Sequence, residues 1–439
     1  MFRYVVLVIS LLCLTLIVAN GAMFQFTVIC MTEGGKNVVT NNKLESNLEA
    51  NDTSFTSYEA SVLLGAISVG CIFGSYPTVK LLNYMSFKKS FTLVGLSSAI
   101  STLIVPFFNH CFAALLVNQI VQGFALAAAF LALGIIPAAC GLHNEKGLFA
   151  SILSCSLQLG PFIIMPISGF LCTSFIGWKG AYFLFGALTT LVFIVFFCIY
   201  DRVNVNKIHP NVLNEPFCDE DSSCDDAQSI PYLQILLEPS FWGMMVAAFG
   251  DTVGYQLFLL YGPTYINTVL NFKISDTGLL AALPHLLSMF TKAIGGLILD
   301  KFTFIKEGLR VILFISLSQA CMTICFIMLT VISQEMAIVG QSMLTLLTVF
   351  SGLAFIGLMS GSQIIGQQYT HVLTSALAVQ DSIAGLVVPL LVAWLAPNYS
   401  ENEWKTVFCF LIGLLVVTNI SFLILTKVEP AKWTAEQIK

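Results

Sequence analysis

The stretch that decides the fold is residues 241–301, which read FWGMMVAAFGDTVGYQLFLLYGPTYINTVLNFKISDTGLLAALPHLLSMFTKAIGGLILDK. Two apolar runs, residues 241–263 and 277–299, flank a short polar hairpin, and each exceeds the roughly 20 residues that a membrane-spanning helix needs. Ionisable side chains lie within both runs: Asp251 in the first, His285 and Lys292 in the second. Because a charge inside a bilayer is costly, such residues are usually retained for a task. The stretch therefore predicts two spanning helices with functional groups at membrane depth.

Ten further apolar runs extend this pattern along the 439 residues of the chain. They cover residues 4–31, 58–82, 91–108, 112–137, 149–173, 178–200, 309–333, 336–360, 372–396 and 404–426. Hydrophobic residues make up 57% of the chain and charged residues 10%, whereas a soluble protein carries about 25% charged residues. No alternating strand pattern recurs, which argues against a barrel. We therefore predict an all-α membrane protein with twelve transmembrane helices.

The order of the runs suggests two matched halves. Residues 1–200 and 240–426 each hold six runs, which we interpret as N-terminal and C-terminal six-helix bundles, with a cytosolic tail at 427–439. Such duplication is typical of secondary transporters, whose site lies near the midplane between the halves. The first run is longer than the core of 7–15 residues in a signal peptide, so we interpret it as a retained helix.

The polar segment between the halves, residues 201–239, is predicted to be a cytosolic acidic linker. Cys218 and Cys224 flank its acidic patch, but a lone cysteine pair is a weak signal for a metal site. Most of the thirteen cysteines lie inside apolar runs and are interpreted as small buried side chains. The sequence thus predicts no metal site and no cofactor.

The distribution of basic residues predicts the orientation. With the N-terminus in the cytosol, thirteen of the nineteen lysines and arginines face the cytosol, five face outside and Lys292 lies in the membrane. Both termini are therefore predicted to be cytosolic. Two glycosylation sequons, beginning at Asn51 and Asn398, then fall in outer loops, where glycosylation can occur. The sequon at Asn419 lies within the twelfth run and should not be glycosylated.

Particular motifs resemble those of known transporters. The segment from Gly296 to Lys301, with Asp300 before the lysine, resembles the G-x-x-x-D-[RK] gating signature of the major facilitator superfamily. Further pieces resemble the anion–cation symporter family, which includes vesicular glutamate transporters, sialin and sodium–phosphate transporters. These pieces are Met165-Pro-Ile-Ser-Gly169, Gly177-Trp178, Pro263-Thr-Tyr265, Ala282-Leu-Pro-His285 and Glu403-Trp404.

The resemblance implies the major facilitator fold and a carrier that works by alternating access. It implies a small-molecule substrate, an organic anion or phosphate, and a coupling ion, proton or sodium. The partners are thus the substrate, the ion and the lipid bilayer, with no nucleic acid. The location implied is the plasma membrane or a vesicular or lysosomal membrane.

The chain departs from this family at its charged positions. By the family pattern, Gln119 and a position near Gly21 stand where arginines are expected, and Leu126 stands near an expected glutamate. Asp251 stands where glutamate carriers hold an arginine, and Asn83 replaces an acid of the first-half gating motif. The family's apparatus for anion binding is therefore missing or replaced.

Seven residues are candidates for the substrate or ion pathway: Asp251, Tyr255, His285, Lys292, Asp381, Gln119 and Gln122. Asp251 lies about 15 Å into its run, near the midplane, between glycines that allow helices to approach. Lys292 and Asp381 lie at similar depths, which suggests an ion pair. Each of these residues has a structural alternative, such as helix packing for the histidine or helix–helix hydrogen bonds for the two glutamines.

We therefore predict a secondary active transporter of a small organic or inorganic anion that is coupled to an ion. Within transport, the alternative is a facilitator or a cation-selective carrier, because Asp251 replaces an arginine. A transport-inactive membrane sensor is the alternative from another class. An intramembrane hydrolase using Asp251 and His285 is disfavoured because the outer loops are too short for a catalytic domain.

Overall fold

The computed structural model describes residues 2–33, 55–108, 110–140, 149, 152–200, 232–301, 306–332 and 336–435. The described residues form helices joined by short connections, with no strand among them. They divide into two compact units. Unit 1 comprises the described residues within Met1–Ser222 together with Phe272–Ala282, and unit 2 comprises those within Ser223–Asn271 and Leu283–Lys439. The bundle and linker boundaries drawn from the sequence remain predictions.

Among the described residues, twelve long helices follow the order of the twelve apolar runs. The first six are α1 (Phe2–Glu33), α2 (Ser57–Tyr84), α3 (Phe87–Ile104), α4 (Phe112–Cys140), α5 (Ser156–Thr173) and α6 (Lys179–Tyr200). The second six are α7 (Pro239–Thr268), α8 (Ile274–Lys301), α9 (Glu307–Val331), α10 (Ala337–Gly366), α11 (Thr370–Leu395) and α12 (Glu401–Leu425). Two short helices, Tyr232–Leu237 and Lys432–Ala435, flank the second set.

In the described part of the chain, eleven helices are long and apolar enough to cross a membrane. The remaining long helix, α8, begins with a turn containing Asp276 and carries His285 and Lys292 further along. Its 28 residues extend for about 42 Å at about 1.5 Å per residue, which exceeds the roughly 30 Å of a bilayer core. The predicted all-helical membrane architecture is therefore confirmed.

The two halves repeat one packing pattern. In unit 1, α1 contacts α4, α5 and α6, and α3 contacts α6. The equivalent helices of unit 2 do the same: α7 contacts α10, α11 and α12, and α9 contacts α12. This repetition is what two copies of one six-helix arrangement produce.

Helix starts and close helix approaches follow local sequence rules. At the start of α2, the Thr56 hydroxyl accepts from the Glu59 amide, while the Glu59 carboxylate accepts from the Thr56 amide. This capping box satisfies backbone donors that a helix start leaves free. Between α2 and α4, a Cβ at Gly123 would collide with the carbonyl of Ile67, so only glycine lets these two backbones approach so closely.

The described residues after α12, 426–435, pack against the helices of unit 2. Trp433 is buried beside the ring of Tyr369, 5.7 Å between centroids, and belongs to a core cluster with Phe241 and Met244. The Ala431 amide donates to the carbonyl of Ile365 at the end of α10. The segment predicted as a tail thus contributes core packing in the part that the structure describes.

A disulfide joins Cys30, near the end of α1, to Cys172, near the end of α5, with the two Cα atoms 6.1 Å apart. The interpretation of the cysteines as small buried side chains is therefore wrong for these two. Both cysteines lie in the last turns of odd-numbered helices, which all end on the same membrane face in the predicted topology. That coincidence is the sequence signal that could have revealed the bond. Cys218 and Cys224 lie outside the described residues.

Candidate functional site

Asp251 lies near the middle of α7 and is only 4% exposed. Its Oδ2 accepts a hydrogen bond from the Ser351 hydroxyl of α10 at 3.0 Å, whereas no described residue donates to its Oδ1. A buried polar atom without a protein partner is open to a proton, an ion, a water or a ligand. The environment of this carboxyl therefore supports a functional role.

The glycines on either side of Asp251 permit the close packing that the sequence predicted. A Cβ at Gly250 would collide with the Thr418 hydroxyl of α12, and one at Gly254 would lie 3.1 Å from the Met322 methyl of α9. α12 therefore packs closely on α7 at Gly250, whereas at Gly254 the nearest neighbour is the flexible end of a methionine side chain from α9. This packing fixes the position of the carboxyl within unit 2.

Asp381 on α11 is the second acidic group of this region. The Gln256 side-chain amide of α7 donates to its Oδ1 at 3.3 Å. Tyr255, the neighbour of Gln256, interacts electrostatically with both Asp381 and Asp251. Gln256, about one and a half turns after Asp251 on α7, therefore contacts the second carboxyl directly.

Lys292 on α8 supplies the positive charge. It interacts electrostatically with both Asp251 and Asp381. Its Nζ lies 4.7 Å from the centroid of the Phe355 ring on α10, which is a cation–π distance. The structure thus brings Lys292, Asp251 and Asp381 into one electrostatic group, while the direct Lys292–Asp381 ion pair remains a prediction.

His285 lies seven residues before Lys292 on α8 and is 1% exposed. Its ring packs against Phe258 of α7 with 6.0 Å between centroids, and it interacts electrostatically with Lys292. Its Nε2 has no hydrogen-bond partner among the described residues. The histidine is therefore held by aromatic packing at the edge of the charged group.

Gln119 and Gln122 in unit 1 take part in hydrogen bonds between helices. Gln122 of α4 accepts from the Ser98 hydroxyl at 2.6 Å and donates to the Thr102 hydroxyl at 2.9 Å, both on α3. Gln119 donates to the Leu63 carbonyl of α2 at 3.4 Å. Both amides are 1% exposed, so this conformation favours the alternative in which they tie helices together.

Asn20 of α1 extends this neutral network. Its amide donates to the Ser98 hydroxyl and to the Thr189 hydroxyl of α6, and its Oδ1 has no partner among the described residues. Next to it, no described atom lies within 4 Å of the point where a Cβ of Gly21 would stand. The position at which the family pattern expects an arginine is therefore open space.

The remaining predicted site residues lie at the end of α8, between α11 and α12, or outside the described residues. Gly296, Asp300 and Lys301 end α8, and their side chains lie outside the described part of the structure. Asn51 also lies outside it. Asn398 is exposed between α11 and α12, where its amide donates to Glu403 at 2.9 Å.

Sequence reasoning missed three uncharged residues that contact the charged side chains of unit 2. Gln256 contacts Asp381, Ser351 contacts Asp251 and Phe355 contacts Lys292. Gln256 was detectable as an amide five positions after Asp251 in an apolar run. Ser351 and Phe355 carried no such signal, because serine and phenylalanine are ordinary residues of membrane helices. Among the described residues, no group of three or more histidine, cysteine or acidic side chains is placed to hold a metal ion.

Comparison with known proteins gives concordant results. The profile of the Major Facilitator Superfamily matches residues 5–380. The mouse sodium-dependent phosphate transport protein 1 is 23% identical over 99% of this chain and 96% of its own length. The human probable small intestine urate exporter is 27% identical over 77% of this chain and 69% of its own. Sheep sialin is 24% identical over 66% of this chain and 59% of its own length.

Solved structures show the same fold. A bacterial homologue of the human lysosomal transporter Spinster, in an inward-facing and unoccupied conformation, superposes with a TM-score of 0.70 at 12% identity, covering 97% of both chains. A D-xylose–proton symporter gives a TM-score of 0.70 at 15% identity, covering 97% of this chain and 98% of its own. The predicted resemblance to anion–cation symporters is confirmed by the family profile and by the relatives named as a sodium-dependent phosphate transporter and as sialin.

Proposed function

The chain belongs to the major facilitator superfamily, and from this membership we propose an ion-coupled carrier whose coupling residues lie in unit 2. The protein is a membrane transporter and not an enzyme. The observation that carries the proposal is the group formed by Asp251, Asp381 and Lys292. Three charges at membrane depth are costly and are typical of ion and substrate pathways.

The substrate we propose is a small organic anion or phosphate. The relatives named for phosphate transport and urate export support this class. Lys292 is the one cation that the described structure places beside the buried carboxyls, so it is our candidate for attracting an anion. The neutral Gln119 and the open space at Gly21 support an anion site that does not depend on the family's arginines.

A facilitator or cation-selective carrier is the second candidate. Two carboxyls accompany one lysine, so the group is negative when both are ionised. A cation would then be attracted without a coupled anion. A transport-inactive sensor is less favoured because ionisable groups at membrane depth are costly and are typical of ion and substrate pathways.

We propose that both termini are cytosolic, in the plasma membrane or a vesicular or lysosomal membrane. The disulfide between Cys30 and Cys172 supports this orientation, because disulfides form on the oxidising face of a membrane and both cysteines end helices that run outward. The basic residues in the predicted cytosolic loops point the same way.

The proposed orientation predicts which of the sequons carries a glycan. Asn398→Gln should remove one glycan and sharpen the band on a gel, because Asn398 is exposed in a predicted outer turn. Asn419→Gln is the matched control and should change nothing, since the Asn419 amide donates to the Ser316 carbonyl at 3.1 Å inside the helical bundle. Glycosidase treatment of both variants measures this. A cytosol-directed label that reacts at a cysteine introduced near residue 398 would reverse the orientation.

The proposed function is tested by uptake into liposomes that hold the purified protein. Radiolabelled phosphate, urate and a panel of carboxylates are offered under an imposed proton gradient, an imposed sodium gradient and neither. Accumulation of an anion above its outside concentration under one gradient supports a coupled carrier. Equilibration without accumulation identifies a facilitator, and no flux of any compound under any gradient contradicts transport of this class.

A further inference from the structure

A chain of hydrogen bonds in unit 1 fixes the orientation of the Asn20 amide. The Thr102 hydroxyl donates to the Ser98 carbonyl at 2.8 Å, so it can only accept from the Gln122 amide nitrogen, 2.9 Å away. The Gln122 oxygen therefore faces the Ser98 hydroxyl, which donates to it at 2.6 Å. The Thr189 hydroxyl likewise donates to a backbone carbonyl of its own helix at 2.7 Å. Both hydroxyls beside Asn20 thus have no proton left to donate, and they must accept from its nitrogen.

The same network leaves the side-chain oxygen of Asn20 without a donor. Its nitrogen donates to Ser98 at 3.3 Å and to Thr189 at 3.1 Å, while its Oδ1 has no partner among the described residues. If the amide were turned over, its oxygen would meet two hydroxyls whose protons are bonded elsewhere. The side chain is only 3% exposed, so Oδ1 is a buried acceptor that a ligand or a water can satisfy.

A hollow adjoins this acceptor on α1. Gly21 is buried, yet no described atom lies within 4 Å of the point where its Cβ would stand. Gly134 and Gly413 have the same clearance, but both are exposed. Gln25 follows Gly21 one turn later on the same face of α1, is 5% exposed, and its Oε1 also has no partner among the described residues. Along α1, an unused amide oxygen therefore stands on either side of the hollow.

From this geometry we infer that Asn20 and Gln25 belong to the substrate site, and that the substrate is an organic anion which presents N–H or O–H groups to them. The inference rests on the proposed function and narrows its substrate class. An arginine, which the family pattern expects near Gly21, could only donate hydrogen bonds, whereas the two amide oxygens only accept them. Ring N–H groups and hydroxyls fit such acceptors, while the unprotonated oxygens of phosphate do not. The site therefore favours donor-bearing organic anions over inorganic phosphate.

The spacing of the two amides fits a small molecule better than a metal cation. Asn20 and Gln25 are five residues apart, which is about 7.5 Å along the axis of α1. A hard cation such as Ca²⁺ gathers six or more oxygens at about 2.3–2.6 Å, often from carboxylates. The stretch of α1 between these two residues offers two unpartnered oxygens, and the helix has no acidic residue before Glu33. Two donors at opposite ends of a small organic anion match this arrangement.

The melting temperature of the purified full-length protein, measured with urate, phosphate, succinate, malate and tartrate, tests the class of ligand. The three dicarboxylates share one charge and carry none, one and two hydroxyls, respectively. Tartrate and urate should raise the melting temperature of the parent more than succinate and phosphate do, with malate between them. Uptake of the same compounds into liposomes should follow the same order.

Two variants test whether the amide and the hollow cause this preference. Gln25→Met keeps the length of the side chain without the acceptor, so it should weaken the binding of tartrate about fivefold and leave that of succinate unchanged. Gly21→Val fills the hollow and should abolish the binding of every compound. Gly134→Val is the matched control, because Gly134 is a helical glycine with the same clearance at an exposed position, and it should bind the compounds like the parent.

Several outcomes would overturn the inference. Phosphate or succinate that binds as tightly as tartrate does so, as does a preference for tartrate that Gln25→Met and Gly21→Val both leave intact. Failure of all five compounds to bind also overturns it. If the Gly21→Val protein does not fold, Gln25→Met decides alone. Coupled uptake of phosphate that both variants leave unchanged overturns this site while the carrier function stands. Tartrate binding that Gly21→Val abolishes, without flux of any compound, supports the site and contradicts the carrier function.

Discussion

Asp251→Asn should abolish the uphill accumulation of substrate in liposomes. A pH difference of one unit stores about 1.4 kcal/mol per proton, which supports about tenfold accumulation at a stoichiometry of one proton per electroneutral cycle. The asparagine keeps the shape of the side chain and its hydrogen bond with Ser351 but cannot take up a proton. The ratio of inside to outside substrate in the variant should therefore approach one.

Exchange between labelled and unlabelled substrate separates coupling from binding. Exchange needs no net proton movement, so it should fall far less than accumulation in Asp251→Asn. Asp276→Asn, at an exposed carboxyl in the first turn of α8, serves as the control, and its accumulation should match that of the parent. If Asp251→Asn accumulates substrate tenfold under the same gradient, Asp251 is structural and does not carry the coupling step.

The helices could be predicted from the sequence because the bilayer imposes a length that apolar runs reveal directly. Residues 58–82, 112–137 and 178–200 correspond to α2, α4 and α6 within a few residues at each end. The charged positions were predictable for the same reason, since Asp251 and Lys292 stand out in apolar surroundings. Predicting the helices and predicting the charged positions each require only the order of residues along the chain.

The partners of the charged residues could not be predicted, because they depend on the rotation of each helix about its axis. Buried residues lie on all sides of α7, so no apolar stripe indicates which face Asp251 occupies. The same limit applies to Ser351 and Gln256, and to the pairing of Cys30 with Cys172. These contacts depend on which helices pack against one another, and the sequence of a single apolar run does not specify its packing partners.

The positions at Gln119 and Gly21 illustrate a different limit. The family pattern showed that expected arginines were absent, but the pattern could not show what replaces them. In the structure, Gln119 is bonded to the Leu63 carbonyl and the point beside Gly21 is empty. At one position where the pattern expects an arginine the structure has a helix contact, and near the other it has open space.

Lys292→Met should destabilise the protein and Asp381→Asn should restore part of the loss. Removing the cation leaves Asp251 and Asp381 without a positive neighbour, and breaking a buried charge interaction costs about 3 kcal/mol. The melting temperature of the detergent-purified protein should therefore fall by several degrees. In the Lys292→Met/Asp381→Asn double variant one carboxyl remains, which stays neutral by holding a proton, so much of the stability should return.

Lys273→Met, at an exposed lysine before α8, is the control and should change stability by less than about 0.5 kcal/mol. If Lys292→Met is as stable as the parent, the lysine does not balance the carboxyls. If the double variant is as unstable as the sum of its parts, Asp381 is not its partner, and Lys292→Met/Asp251→Asn then tests the other carboxyl.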